Sequence, residues 1–245
     1  KIVHQLAYAE VADRLPDGMD AAAWDALRLS LWVAVWATLL AIPLALWVAW
    51  LLARRDFWGK ALLNAAVHLP LVLPPVVTGY LLLMAFGRNA PLGRALDAIG
   101  LQLAFHWSGA VLAAIIMGFP LMVRAMRLAI EAVDPKLEDA AATLGAPRVA
   151  VFARVTLPLI LPGVLAGSVM GFAKAMGEFG ATITFVANIP GQTQTLPSAI
   201  WAALQIPGGE GQAVAMVLMS SAIAVSAVLL SELLARRVAK RIAGT

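Results

Sequence analysis

The sequence predicts an all-α membrane protein with about five transmembrane helices. Hydrophobic residues make up 62% of the 245 positions and the mean hydropathy is +0.86, whereas soluble domains are roughly 45–50% apolar. The basic residues collect at the ends of long apolar runs, as membrane topology requires. Cysteine is absent, which excludes disulfides and thiolate metal sites. We expect a single transmembrane domain over residues 1–245, with its helical core at about 28–235.

The predicted spans are separated by charged or polar breaks. An acid-rich start precedes the first span, which Arg54 and Arg55 end. The second span contains prolines at positions 70, 74 and 75. Prolines free backbone carbonyls that lipid cannot satisfy, so we expect this span to be kinked and enclosed in a bundle. The five spans are predicted at about residues 29–53, 61–86, 109–133, 157–185 and 213–234, with the early part of the fourth turning as an elbow along the surface.

The positions of Lys and Arg predict the orientation in the membrane. Twelve of the 18 basic residues lie on the side of the loop between the third and fourth spans, and five lie on the other. The richer side is cytoplasmic by the positive-inside rule, so we expect the N-terminus outside and the C-terminus in the cytoplasm. The basic-free loop at 187–212 is then external, and Leu196, Ile200 and Trp201 suit a short helix resting on the membrane interface.

Residues 134–150 form a predicted short helix on the cytoplasmic side. Asp134 can cap its start and Pro135 suits the first helical position, while Gly145 can end it in a left-handed conformation. About ten helical residues span about 15 Å, too short to cross a hydrocarbon core of about 30 Å.

This helix has an apolar edge that could bind another protein. The edge consists of residues at helical spacing, Leu137, Ala141 and Leu144. A docking helix for a partner and a simple connector at the membrane interface both fit this pattern.

The fourth span carries a stripe of small residues. They recur every four positions and are Gly163, Gly167, Gly171 and Ala175. Such a stripe lets another helix approach closely, and helix packing alone explains it.

Two ionisable residues follow the stripe within the fourth span. Lys174 and Glu178 are four residues apart, so a continuous helix would place them side by side and facing protein. Charges at membrane depth mark a pathway or a paired structural site, and both interpretations stay open. The flanking glycines allow a bend or a constriction at Phe179, and Thr182 adds a hydroxyl donor.

The sequence contains no recognisable catalytic or metal-binding motif. There is no phosphate-binding loop, and the three histidines are scattered over three segments, with His68 best explained as a satisfied core residue. We therefore predict no enzyme activity, no metal and no cofactor on this chain, and no nucleic-acid partner. Uphill transport would need an ion gradient or a separate ATPase. A secondary transporter, a channel and a membrane scaffold are the alternatives.

The cytoplasmic segment resembles the signature of ABC-importer permeases, written E-A-A, three residues, G, nine residues, I, one residue, L-P. The spacing agrees throughout, and two positions differ conservatively, Asp for Glu and Val for Ile. The matching residues are Asp139, Ala140, Ala141, Gly145, Val155, Leu157 and Pro158. Within that superfamily, residues 68–83, 119–131 and 177–197 are similar to molybdate permeases. Sulfate permeases share an element like that of residues 177–180 and are the nearest competing family.

The resemblance implies a fold, partners and a location. It implies the type I importer permease fold and a homodimer in a bacterial inner membrane, with the anion path at its two-fold axis. It also implies a cytoplasmic ATPase dimer, a periplasmic or extracellular oxyanion-binding protein and surrounding lipid. The residues it assigns to ATPase coupling are Leu137, Glu138, Asp139, Ala140, Ala141, Leu144 and Gly145.

For the path or gate, we expect Lys174 to attract a tetrahedral dianion, molybdate or tungstate. Glu178 would offset that charge and prevent trapping.

Overall fold

The computed structural model describes residues 21–243, and all regular structure in that part of the chain is helical. The acid-rich start of the sequence lies almost entirely outside these residues. The helices are α1 (Ala21–Arg54), α2 (Lys60–Val72), α3 (Pro75–Phe86), α4 (Pro91–Asp97), α5 (Trp107–Glu131), α6 (Pro135–Thr143), α7 (Arg148–Val151), α8 (Leu157–Met176), α9 (Gly180–Val186), α10 (Leu196–Ala203) and α11 (Glu210–Ala243). A π turn at Phe152–Thr156 joins α7 directly to α8.

Among the described residues, four helical runs are long and apolar enough to cross a membrane, and a bent pair makes a fifth if it counts as one span. This confirms the predicted number. The four runs are Ala21–Arg54, Trp107–Glu131, Arg148–Met176 and Glu210–Leu230, and the bent pair is α2 with α3.

The second span is broken more sharply than a proline kink. Helix α2 continues through Pro70, and the break comes at Leu73 and Pro74. Leu73 is extended, as expected for a residue before proline, and Pro75 opens α3 at the position where its missing N–H costs nothing. The two arms diverge by 114°.

The fourth span begins earlier than predicted. The helical run starts at Arg148 instead of near residue 157, and the expected elbow is a π turn within a continuous run. A π turn accommodates one extra residue without ending the helix, so the chain stays helical through the segment that was expected, from its length, to turn along the surface.

Helices α1, α5 and α8 form the centre of the bundle. Their contact surfaces are rich in small residues that let the backbones approach. A Cβ atom at Gly167 would lie 3.2 Å from the Met122 carbonyl oxygen and 3.3 Å from the Ala125 Cβ. Gly163 likewise lies against Ala129 of α5. The small-residue stripe of α8 therefore lies against α5.

The short external helix of the sequence analysis is present as α10, but it is not purely interfacial. Leu196 is fully buried against α1 and α11, and its N–H donates to the Ser30 hydroxyl at 2.7 Å. The expectation that Leu196 rests at the membrane interface was wrong, because this side chain fills the bundle core. Trp201 is about half exposed.

Candidate functional site

Helix α6 is closed at both ends by local hydrogen bonds. At the start, the Asp134 carboxylate accepts from the Lys136 N–H at 2.9 Å. At the end, Gly145 has φ +83°, its N–H donates to the Ala142 carbonyl at 3.0 Å, and the next N–H donates to the Ala141 carbonyl at 3.3 Å. This is a Schellman motif. The predicted cap and the predicted left-handed glycine are both confirmed.

One side of α6 is open to solvent, and no residue of the helix is buried. Leu144 is 90% exposed and Leu137 is 49% exposed. Asp139 and Ala140 are exposed as well, while Ala141 is half-buried. Exposed leucines on a polar helix outside the core offer contact area to another protein.

Glu138, in contrast, faces the rest of the chain. Its Oε1 accepts from the Arg54 guanidinium at 3.3 Å and from the Thr156 hydroxyl at 2.7 Å. Arg54 also donates to the Val133 carbonyl at 3.1 Å. One carboxylate oxygen therefore joins α6 to the end of α1 and to the π turn before α8.

Sequence reasoning missed Arg54 and Thr156. Arg54 lies 84 residues from Glu138, and its only signal in the sequence was its place at the end of a span, which membrane topology already explained. Thr156 is buried within the π turn, which the sequence pattern did not predict.

The second group of candidate residues surrounds the break between α8 and α9. The Lys174 ammonium lies 2.6 Å from Glu178 Oε2. The Glu178 side chain is 2% exposed and that of Lys174 is 29% exposed. The other oxygen of Glu178 accepts from the Ala181 N–H at 3.0 Å, which satisfies a free donor in the first turn of α9.

The pair forms by a different route from the one expected. We expected Glu178 to lie on the same continuous helix as Lys174, and this is wrong. Helix α8 ends at Met176 with Gly177 as its cap, because the Glu178 carboxylate binds the start of α9 instead of continuing α8. The contact between the two side chains nevertheless forms.

The other predicted residues of this group are close by. The Phe179 ring lies 6.1 Å from the Trp201 ring, and Thr182 is buried. Helix α9 packs directly on α3, where a Cβ at Gly79 would come within 2.5 Å of the Ala181 carbonyl oxygen. The break therefore adjoins one arm of the bent pair.

The two groups lie at opposite ends of α8. The 20 residues of this helix span about 30 Å, roughly the thickness of a hydrocarbon core. The exposed helix α6 lies near one end of α8 and the ion pair near the other. Such an arrangement suits a protein in which an event at one membrane surface is linked to an event near the other.

The chain belongs to the binding-protein-dependent transport system inner membrane components, whose family model matches residues 41–240. It is thus a multi-pass component of a membrane transport system. It is 56% identical over 214 residues to the molybdenum transport system permease protein ModB of Escherichia coli (strain K12), covering 87% of this chain and 93% of that one. The ModB protein of Haemophilus influenzae is 54% identical over 219 residues, covering 89% and 96%.

A solved structure confirms the fold. A chain from the crystal structure of a bacterial alginate ABC transporter, in complex with an alginate pentasaccharide-bound periplasmic protein, matches with a TM-score of 0.72. The match covers 90% of this chain and 81% of the other at 18% identity, so it bears on the fold alone. The predicted all-α importer permease fold is confirmed.

Proposed function

We propose that the chain is the membrane-spanning subunit of an ATP-driven importer that carries molybdate into the cytoplasm by alternating access. Tungstate, a dianion of nearly the same size and shape, is a second cargo of the same site. The observation that carries this proposal is the 54–56% identity, over most of both chains, to two permeases named for molybdenum transport. The chain itself acts as a permease, and we assign ATP hydrolysis to a separate subunit.

Helix α6 is the proposed docking element for that ATPase. The exposed side of the helix consists of Leu137, Asp139, Ala140 and Leu144. The small side chain of Ala141 lets the partner come close to the helix, and Gly145 ends it. Glu138 has a different part in the proposal. Because its carboxylate is held by Arg54 and Thr156, it fixes the angle of α6 on the permease, and Asp139 is the acidic residue available to the partner.

The Lys174 and Glu178 pair is the proposed path or gate, together with Phe179 and Thr182. Glu178 is buried beside an ammonium group that retains partial exposure, so an arriving dianion can reach Lys174 from its exposed side while the same ammonium still neutralises the buried carboxylate. Once the dianion is bound, the nearby carboxylate weakens its hold and lets it leave. The specificity then comes from the receptor that delivers the anion.

A second copy of the chain, the ATPase pair and an external oxyanion-binding protein complete the proposed assembly. Binding of ATP would close the ATPases and move both α6 helices, turning the bundle between two packings. Large apolar side chains of α2 and α3, such as Leu62, Val72 and Met84, are exposed and are available to lipid or to the second copy.

The test is ATP-dependent uptake of labelled molybdate into vesicles holding this chain with its ATPase and receptor, with sulfate as competitor. We expect uptake that needs all three proteins and resists excess sulfate. Uptake without the ATPase would contradict the proposed coupling. Strong competition by sulfate would keep the importer and change its cargo.

A further inference from the structure

A pocket of about 280 Å³ opens between α2 and α5, near the end of α5 that leads into α6. It is separate from both groups of candidate residues described above. The residues around it are Asn64, His68, Arg124, Arg127, Leu128 and Glu131.

Helical spacing brings the polar groups of this pocket together. Arg124, Arg127 and Glu131 occupy positions i, i+3 and i+7 of α5, which share one face of a helix. Asn64 and His68 are four residues apart on α2 and share a face for the same reason. The sequence suggested His68 as a satisfied core residue. It is half-buried at the edge of this pocket, so the core position was wrong, although its Nδ1 does have a hydrogen-bond partner.

One arginine of the pocket is held in place by the protein. The Arg127 Nε donates to Glu131 Oε1 at 2.7 Å, and its Nη1 donates to Asn64 Oδ1 at 3.2 Å. These two bonds fix the plane of the guanidinium and leave three of its five N–H groups without an acceptor in the described part of the chain. The Asn64 amide nitrogen is likewise without one. His68 is oriented by a 2.8 Å contact between its Nδ1 and the Asn64 carbonyl.

The other arginine has no charge partner. Arg124 makes no hydrogen bond or ion pair within residues 21–243, and it lies seven residues before the end of α5, about 10 Å along the helix. The single carboxylate of the pocket is engaged by Arg127. The pocket therefore holds two guanidinium groups against one carboxylate, and the exposed Arg124 is the group without a charge partner.

We propose that this pocket binds a tetrahedral oxyanion between Arg124, Arg127 and the Asn64 amide. Guanidinium groups bind phosphate-like anions with two parallel N–H donors, and the arrangement provides one pre-oriented and one free guanidinium. The same chemistry comes from two sources, the phosphate of an anionic lipid headgroup and the transported oxyanion after it leaves the bundle. The inference depends on the proposed function only for the choice of molybdate as one probe.

The experiment measures binding instead of transport. The full chain with its ATPase is placed in nanodiscs of phosphatidylcholine, with or without phosphatidylglycerol. Labelled molybdate is titrated into the first kind of disc, and the phosphatidylglycerol retained by the complex after detergent extraction of the second is counted by mass spectrometry. Arg124→Gln is the test variant. Arg148→Gln is the control, because Arg148 is exposed and its loss changes the net charge equally.

We expect one of the two probes to bind and Arg124→Gln to weaken that binding about tenfold or more, since charge-assisted bonds are lost. Arg148→Gln should leave it unchanged. Retention of the lipid identifies a headgroup site, and binding of molybdate in phosphatidylcholine alone identifies a site for the free oxyanion. Binding of neither probe, or equal loss in both variants, overturns the proposal. Because no step requires uptake, a failed transport assay and a failed binding assay are distinguishable.

Discussion

Replacing Gly145 by valine tests how much one left-handed backbone conformation contributes to the coupling of ATP hydrolysis to transport. Gly145 has φ +83°, and a Cβ there would meet no atom within 4 Å. The substitution therefore introduces backbone strain and no clash. A left-handed residue with a side chain costs roughly 1–2 kcal/mol, which shifts the local equilibrium away from the ordered helix end by about 5–30-fold. A β-branched side chain lies at the upper end of this range.

The backbone strain at position 145 lies next to Leu144, the most exposed leucine of the docking surface proposed for α6. Leu144 directly precedes Gly145 and is 90% exposed, so loss of the Schellman motif removes its fixed position on the proposed docking surface. We expect Gly145→Val to lower either the amount of ATPase that copurifies with the permease or the molybdate transported per ATP hydrolysed. Gly145→Asn should lose much less, because asparagine tolerates the left-handed region.

A second glycine provides the matched control. Gly208 has φ +84° and its Cβ would also meet open space, but it lies in the loop between α10 and α11. Gly208→Val therefore adds the same strain away from α6. Normal coupling in Gly145→Val would refute the reasoning, and so would an equal loss of coupling in Gly208→Val.

Three further substitutions address the remaining contacts. Lys174→Met leaves the buried Glu178 carboxylate without its partner, at a cost of about 3–5 kcal/mol, so thermal inactivation should be faster. Adding Glu178→Gln to this variant should restore stability. If the pair is purely structural, the double variant should recover molybdate uptake as well. Gly167→Val forces atoms between α8 and α5 and should reduce the yield of assembled protein, whereas Gly211→Val, in open space, should not. Glu138→Gln should reduce transport per ATP hydrolysed while the ATPase still copurifies, and loss of the ATPase instead would contradict the assigned anchoring role.

Helix α6 could be predicted almost residue by residue, because its signals are local. Asp134, Pro135 and Gly145 each act on backbone groups within a few positions. Their effect does not depend on the rest of the fold. The number of spans was predictable for a similar reason, since the lipid environment imposes length and hydropathy on each span independently.

Sequence periodicity does not decide whether α8 continues through Gly177 or ends there. Gly177 permits both a helix and a cap, and Glu178 fits both the side of a continuous helix and the first turn of the next one. The structure takes the second alternative because the Glu178 carboxylate binds the Ala181 N–H. The prolines at 74 and 75 mark the break between α2 and α3 locally, but no local pattern encodes the size of its 114° angle.

The contacts of Glu138 suggest how the two ends of the bundle communicate. Its carboxylate holds α6 to the π turn before α8 and to the last residue of α1. A displacement of α6 by a partner is therefore expected to act on α1 and α8 together. Helix α8 packs against α5 along its small-residue stripe, and we expect the packed part to move largely as one unit, since close-packed interiors deform little. Its far end, about 30 Å away, carries Lys174 and leads through Gly177 to Glu178, the other member of the ion pair. The run can bend at the π turn before α8, at Pro162 within it and at the glycine break after it. Movement of α6 is therefore expected to change the tilt of α8 and, with it, the geometry of the ion pair.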